Sequence, residues 1–244
     1  MVTTAAALPR TRAPRRLYVG LALLAVAIAA VGFWPTYFGP LVAGTAVKTP
    51  IVHLHAAVYV GWLAIFVTQT LLAATGHVAA HMKLGRFAIG YGVLVIVVGV
   101  LTAFARFALR VRAGEVAEGG AQLLGPLLDM LVFAPAFVAA IYYRRKPDLH
   151  KRLMIVATTS LLIAAVGRMQ FLGLLPARLL WVHLIWTAPI VLAMAHDFWR
   201  QRKIHPVYVL GLVVIVLEGP LGRRPAGQSA AWQNFSGWLA TWVT

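Results

Sequence analysis

Seven apolar runs recur along the chain, at residues 17–34, 51–75, 87–109, 123–143, 153–175, 179–199 and 205–221. Most of them reach the roughly 20 residues that a bilayer's hydrocarbon core demands of a helix. Short segments rich in Lys, Arg, Pro and Gly separate them. The pattern predicts an all-α polytopic membrane bundle of about seven transmembrane helices, forming one domain over residues 17–221. Residues 1–16 read as a basic tail and residues 222–244 as a Trp-rich tail. The seventh run is short and closes on Glu218-Gly219-Pro220, which makes it the weakest span. The first run follows basic residues, as a signal peptide's core does. It is long for such a core, however, and Gly32-Phe33-Trp34-Pro35 offers no small-x-small cleavage site, so it reads as a membrane helix.

The second run carries polar residues at helical spacing. His55, Tyr59, Trp62, Gln69 and His77 fall on one stripe when each residue advances about 100°. Polar groups in a spanning helix are expensive unless they face protein or water, so the stripe is expected to face the bundle interior. In the tail, Trp232, Phe235, Trp238, Leu239 and Trp242 recur at steps of one to four residues. This predicts an amphipathic helix at the membrane interface, where Trp is favoured. It would serve as an anchor or as a docking helix for another subunit.

Composition agrees with the bilayer as solvent. Hydrophobic residues make up 61% of the 244 and charged residues 11%, against about a quarter charged in soluble domains. The formal net charge of +16 lies in short clusters between apolar runs. That pattern fits cytoplasmic loops and anionic lipid, and argues against nucleic acid as a partner. With the N-terminus in the cytoplasm, 14 of the 22 Lys and Arg residues fall on the inner side and 7 on the outer side, with Arg168 inside the fifth run. This bias assigns the inner side to the N-terminus and loop 144–151, and the outer side to the C-terminus. A bacterial cytoplasmic membrane is the expected setting. Cysteine is absent, which excludes disulfides, thiolate metal sites and c-type haem attachment.

Eight histidines against six acids leave imidazole as the leading ligand for any haem or metal ion. The polar membrane residues sort into two layers. The outer layer holds His53, His55, Asp129, Arg168, Gln170 and His183, and the inner layer His77, His81, His150, His196, Asp197 and His205. Asp129 and Arg168 are expected to pair with each other or with a bound group. His55 and His183 suit the two axial positions of a b-type haem, with Arg168 on a propionate; hydrogen-bonded interior histidines are the alternative. In the inner layer, His77 and His81 stand four residues apart. That spacing presents two imidazoles to a metal ion if the second helix continues past Gly76. His150 lies 18 residues, about five turns, before Arg168, so the two share one helix face. His183 and His196, 13 apart, lie on rather different faces, against a two-haem arrangement. No P-loop, G-x-S-x-G or H-E-x-x-H motif occurs. The seventh run has no lysine to hold a retinal. No inverted repeat or clearly interrupted helix pair of the transporter kind is evident.

His55 with Gln69, then His81-Met82-Lys83-Leu84-Gly85-Arg86, resembles a pattern in bacterial multi-pass membrane proteins of unknown function. So does His150-Lys151-Arg152-Leu153-Met154 followed by Arg168. The resemblance spans about the second to fifth runs. It implies a membrane bundle with His55, Gln69, His81, His150 and Arg168 as candidate positions. Some members of this group look like assembly factors for haem–copper oxidases, and others have been compared with membrane b-type cytochromes. Together these readings predict an integral membrane protein that binds haem or a metal ion through histidines and serves a membrane electron-transfer or oxidase-type complex. The haem-side candidates are His55, Gln69, Arg168 and His183, and the metal-side candidates His77, His81 and His150. The alternative is a cofactor-free structural or assembly subunit. No reaction is specified, and the expected partners are the lipid bilayer and other subunits of a membrane complex.

Overall fold

A computed structural model describes residues 15–46, 48–169 and 178–243. Among these residues the fold is all-helical. Most of the basic tail, residues 1–14, lies outside the described residues. The ordered elements are α1 (Arg15–Phe33), α2 (Gly39–Val42), α3 (Pro50–Thr75), α4 (Val78–Arg112), α5 (Val116–Tyr142) and α6 (Pro147–Ser160). They continue with α7 (Ile163–Val166), α8 (Arg178–Gln201), α9 (Pro206–Glu218), α10 (Pro220–Gln228) and α11 (Ala230–Ala240). Seven helical stretches are long and apolar enough to cross a membrane: Arg16–Val42, Pro50–Thr75, Val78–Arg112, Val116–Tyr142, Pro147–Val166, Leu180–Gln201 and Pro206–Gln228. The chain is a multi-pass integral membrane protein.

Local chemistry sets the helix ends. Pro50, Pro147, Pro206 and Pro220 each open a helix, where the missing N–H is no loss and the ring fixes φ. Pro35 lies in a five-residue π-helical turn, Trp34–Phe38, that joins α1 to α2. Gly76 ends α3 at φ 84°, a left-handed conformation that favours glycine. The second helix therefore does not run on to His77, as the metal reading of His77 and His81 required; His77 instead starts α4.

Two spans are interrupted, contrary to the sequence expectation. The fifth breaks at Leu161 and Leu162, between α6 and α7. The carbonyl of Thr159 there accepts both the Leu162 amide (3.1 Å) and the indole N–H of Trp186 on α8 (2.8 Å). The seventh breaks at Gly219, between α9 and α10. At 13 residues α9 is about 20 Å long, too short to cross the core alone.

The fifth span is the bundle's centre. Arg152 and the unbroken series Ile155, Val156, Ala157, Thr158, Thr159 and Ser160 are all buried, as a helix enclosed on every side must be. It packs against α1, α5, α8 and α9. On one flank α3, α4 and α5 close around Trp62, whose ring meets Phe133 at 5.3 Å and Phe137 at 5.6 Å, edge to face. On the other flank α1 and α7 approach closely: a Cβ on Gly32 would stand 2.3 Å from the Ala165 carbonyl oxygen. The Trp-rich tail forms α11 and lies on the N-terminal end of α5, with the Trp232 indole donating to the Gly120 carbonyl at 2.8 Å. Its other face exposes Phe235, Trp238 and Trp242 in a row, with ring centroids 5.9 and 6.0 Å apart. Protein covers one side of the helix, and an aromatic band remains for the interface.

Candidate functional site

Four of the five stripe residues, His55, Tyr59, Trp62 and Gln69, face inward on α3 as expected; His77 lies past its end and is exposed. Trp62 is 1% exposed, Tyr59 donates to the Val95 carbonyl at 3.3 Å, and atoms of His55, Trp62 and Gln69 are buried. His55 stacks on Tyr59 with centroids 4.0 Å apart. His55 and Gln69 share a face but stand 14 residues apart, about 21 Å along the axis, so they belong to opposite ends of the bundle.

The outer candidates do not converge. His55 is on α3 and His183 on α8. Each of these helices packs on α1, and among the described residues they make no extensive contact with each other. His183 lies beside Trp186, with ring centroids 6.3 Å apart, and close to Gly219. Arg168 follows α7, donates to the Ala164 carbonyl and covers the Phe33 ring at 4.9 Å. His55 and Arg106 are its electrostatic neighbours. The expected Asp129–Arg168 pair is absent; Asp129 instead binds Arg223 of α10 at 2.8 Å. The same guanidinium nitrogen binds Glu218. Helix α5 turns Asp129 toward the α9–α10 break and away from α7. Gln170 lies outside the described residues.

The inner candidates converge in part. His77 turns back to the Thr75 hydroxyl at 2.8 Å. His81, on the first turn of α4, contacts the Gln69 carbonyl through Nδ1 at 3.2 Å. His150, on the first turn of α6, contacts the Ala140 carbonyl through Nδ1 at 2.8 Å. Both carbonyls belong to the last two turns of their helices, α3 and α5. A carbonyl only accepts, so each Nδ1 carries the proton and each Nε2 presents a lone pair. His81 and His150 are electrostatic neighbours. Among the described residues no three His, Asp or Glu side chains gather as a metal-holding group.

A second inner cluster was not legible as a unit. Arg152 on α6 donates from Nε (3.2 Å) and Nη2 (2.8 Å) to Asp197 on α8, and both residues are 4% exposed. Its guanidinium also lies 5.6 Å from the Tyr208 ring, whose hydroxyl is 3.1 Å from that of Tyr18. His196 stands 3.9 Å from Asp197, beyond hydrogen-bond reach. His205 caps α9, its Nδ1 accepting the Val207 amide at 3.2 Å. Desolvation, followed by the nearby Arg152 charge, lowers the His205 pKa from the usual 6.5. His150 and Arg152 stand two residues apart in the run that carries the resemblance; the structure sends them to different neighbourhoods on either side of α6.

All six acids have cationic neighbours: Glu115 and Glu118 with Arg110, Asp148 with Lys151 and Arg152, Asp197 with Arg152, and Asp129 and Glu218 with Arg223. Among the described residues Lys83, Arg86, Arg145 and Lys146, at the same end of the bundle as His81 and His150, have no carboxylate partner. Comparison with protein-family models, curated proteins and solved structures finds no match for this chain.

Proposed function

We propose that this membrane protein binds a haem or a metal ion through His81 and His150 on the inner side of a bacterial cytoplasmic membrane, and serves a membrane electron-transfer or oxidase-type complex. One observation carries the reading. Both imidazoles have Nδ1 tied to a carbonyl in the last two turns of a neighbouring helix, at 3.2 and 2.8 Å, which leaves Nε2 as the donor. Metal-ligating histidines are oriented in this way, by a hydrogen bond from the other ring nitrogen. Among the described residues no third His, Asp or Glu joins these two imidazoles, which favours haem over a metal ion held by protein ligands alone. Lys83, Arg86, Arg145 and Lys146 suit its propionates. Bound there, haem would supply one-electron transfer. The chain's own residues would orient the imidazoles and balance the propionate charge.

The test is the visible spectrum and metal content of protein purified from its native membrane. The expected outcome is a Soret band lost in His81→Ala and in His150→Ala and kept in His55→Ala. A colourless, metal-free native protein would overturn the reading. A cofactor-free structural or assembly subunit would then stand. The exposed row Phe235, Trp238 and Trp242 favours that second reading, as an aromatic face presented to lipid or to a partner subunit.

A further inference from the structure

We propose that Asp129, Glu218 and Arg223 form a proton-binding site inside the membrane, with one proton held between the two carboxyl groups. The argument begins with charge. Arg223 Nη2 serves Asp129 Oδ1 at 2.8 Å and Glu218 Oε1, while its Nε donates to the Glu218 backbone carbonyl at 3.2 Å. Two carboxyls thus share one guanidinium. With one proton the group is neutral; without it the group carries a net negative charge in a medium that penalises one.

Hydrogen bonding points the same way. Glu218 Oε2 is buried and has no donor, although Glu218 is only 9% exposed. The other side of Glu218 meets an apolar groove lined by Leu128, Leu131, Val214, Leu217 and Ala226, none of which offers a side-chain donor. The neighbouring polar group is the Asp129 carboxyl, because Asp129 Oδ1 and Glu218 Oε1 meet the same Arg223 nitrogen. Two carboxylate oxygens cannot bond each other, whereas a carboxylic acid and a carboxylate can. A single proton on Glu218, donated toward Asp129, both satisfies the oxygen and neutralises the group. Pairs of carboxyls sharing one proton in this way are an established solution to like charges at close range.

Tyr59 and the basic residues of α4 and α6 that pair elsewhere do not supply that proton. From α3, the Tyr59 hydroxyl is directed to the Val95 carbonyl and Met130 sulfur. From α8 come His183, near Gly219, and Trp186, whose ring lies 6.0 Å from the Arg223 guanidinium. On α4 and α6, Arg110, Lys151 and Arg152 pair with other acids, and α11 has no charged residue. The site sits where α9 breaks into α10, so Arg223 also ties the outer cap of the bundle to α5.

The test is infrared spectroscopy of the full chain in phospholipid vesicles at neutral pH. A carbonyl stretch of a protonated carboxylic acid is expected, equivalent to one group per chain and shifted in deuterated water. Glu218→Gln is isosteric and neutral, keeps an oxygen for Arg223, and should remove the band while the protein stays folded. Asp129→Asn should remove it too, because the remaining carboxylate then balances Arg223 alone. Wild-type protein without the band overturns the proposal, and so does a band that survives in Glu218→Gln. Neither result depends on whether His81 and His150 hold a cofactor.

Discussion

Replacing Arg152 with Leu removes the cation from an ion pair that the bundle buries at its inner end. Asp197 is 4% exposed and receives two donors from Arg152, at 3.2 and 2.8 Å. The substitution removes that carboxylate's guanidinium partner; the nearby His196 ring stands 3.9 Å away, beyond hydrogen-bond reach. Breaking a buried pair from one side typically costs about 3–5 kcal/mol, because a charge is stranded. Arg152 also touches Asp148, but that side chain is 78% exposed and its share is about 0–1 kcal/mol. For a chain of this size each kcal/mol moves the melting temperature by about 2–4 °C, so Arg152→Leu should lower it by roughly 6–20 °C. The double variant Arg152→Leu with Asp197→Leu removes both charges and should recover most of the loss, since an apolar pair of similar volume is often neutral or better. Thermal unfolding in detergent micelles, followed by far-ultraviolet circular dichroism, measures both. Equal damage from the single and double variants would refute the argument from stranded charge.

Three other outcomes are expected. Gly32→Ala places a Cβ within 2.3–2.8 Å of Ala165 backbone atoms and should destabilise the bundle by about 1–3 kcal/mol, read from the same melts. His205 favours its neutral form in the folded state because its Nδ1 accepts the Val207 amide and desolvation lowers its pKa. The unfolded chain then binds more protons, so this contribution is complete above pH 6.5 and fades as the pH falls below it. His205→Asn keeps a capping oxygen and should flatten the slope of melting temperature against pH below about 6.5; an unchanged slope would rule His205 out as its source. A topology reporter fused after Thr244 should read the outer side and one in loop 144–151 the cytoplasm, as seven spans require; both on one side would remove a span.

The sequence by itself determined the class and the number of spans, because lipid cannot hydrogen-bond a backbone and each crossing must be a helix of apolar residues, a property local to each run. The inward face of α3 was legible for the same reason: helical periodicity alone places His55, Tyr59, Trp62 and Gln69 on one side. So was an ordered tail helix, from the spacing of its tryptophans. Tertiary structure decided which polar groups meet. Asp129 is nearer in sequence to Arg168 than to Arg223, yet it binds Arg223, because the turn at Gly219 folds α10 back onto α5. Arg152 and Asp197, 45 residues apart, carry no signal of each other until α6 packs on α8. The break after Ser160 has neither Gly nor Pro to announce it; the Trp186 indole, arriving from α8, takes up the Thr159 carbonyl there. His81 and His150 were each visible as candidates, but their matched orientation depends on how α4 and α6 start against the last two turns of α3 and α5, whose carbonyls accept from them. Spans follow from the solvent and are written locally; polar partners follow from packing between helices distant in the chain.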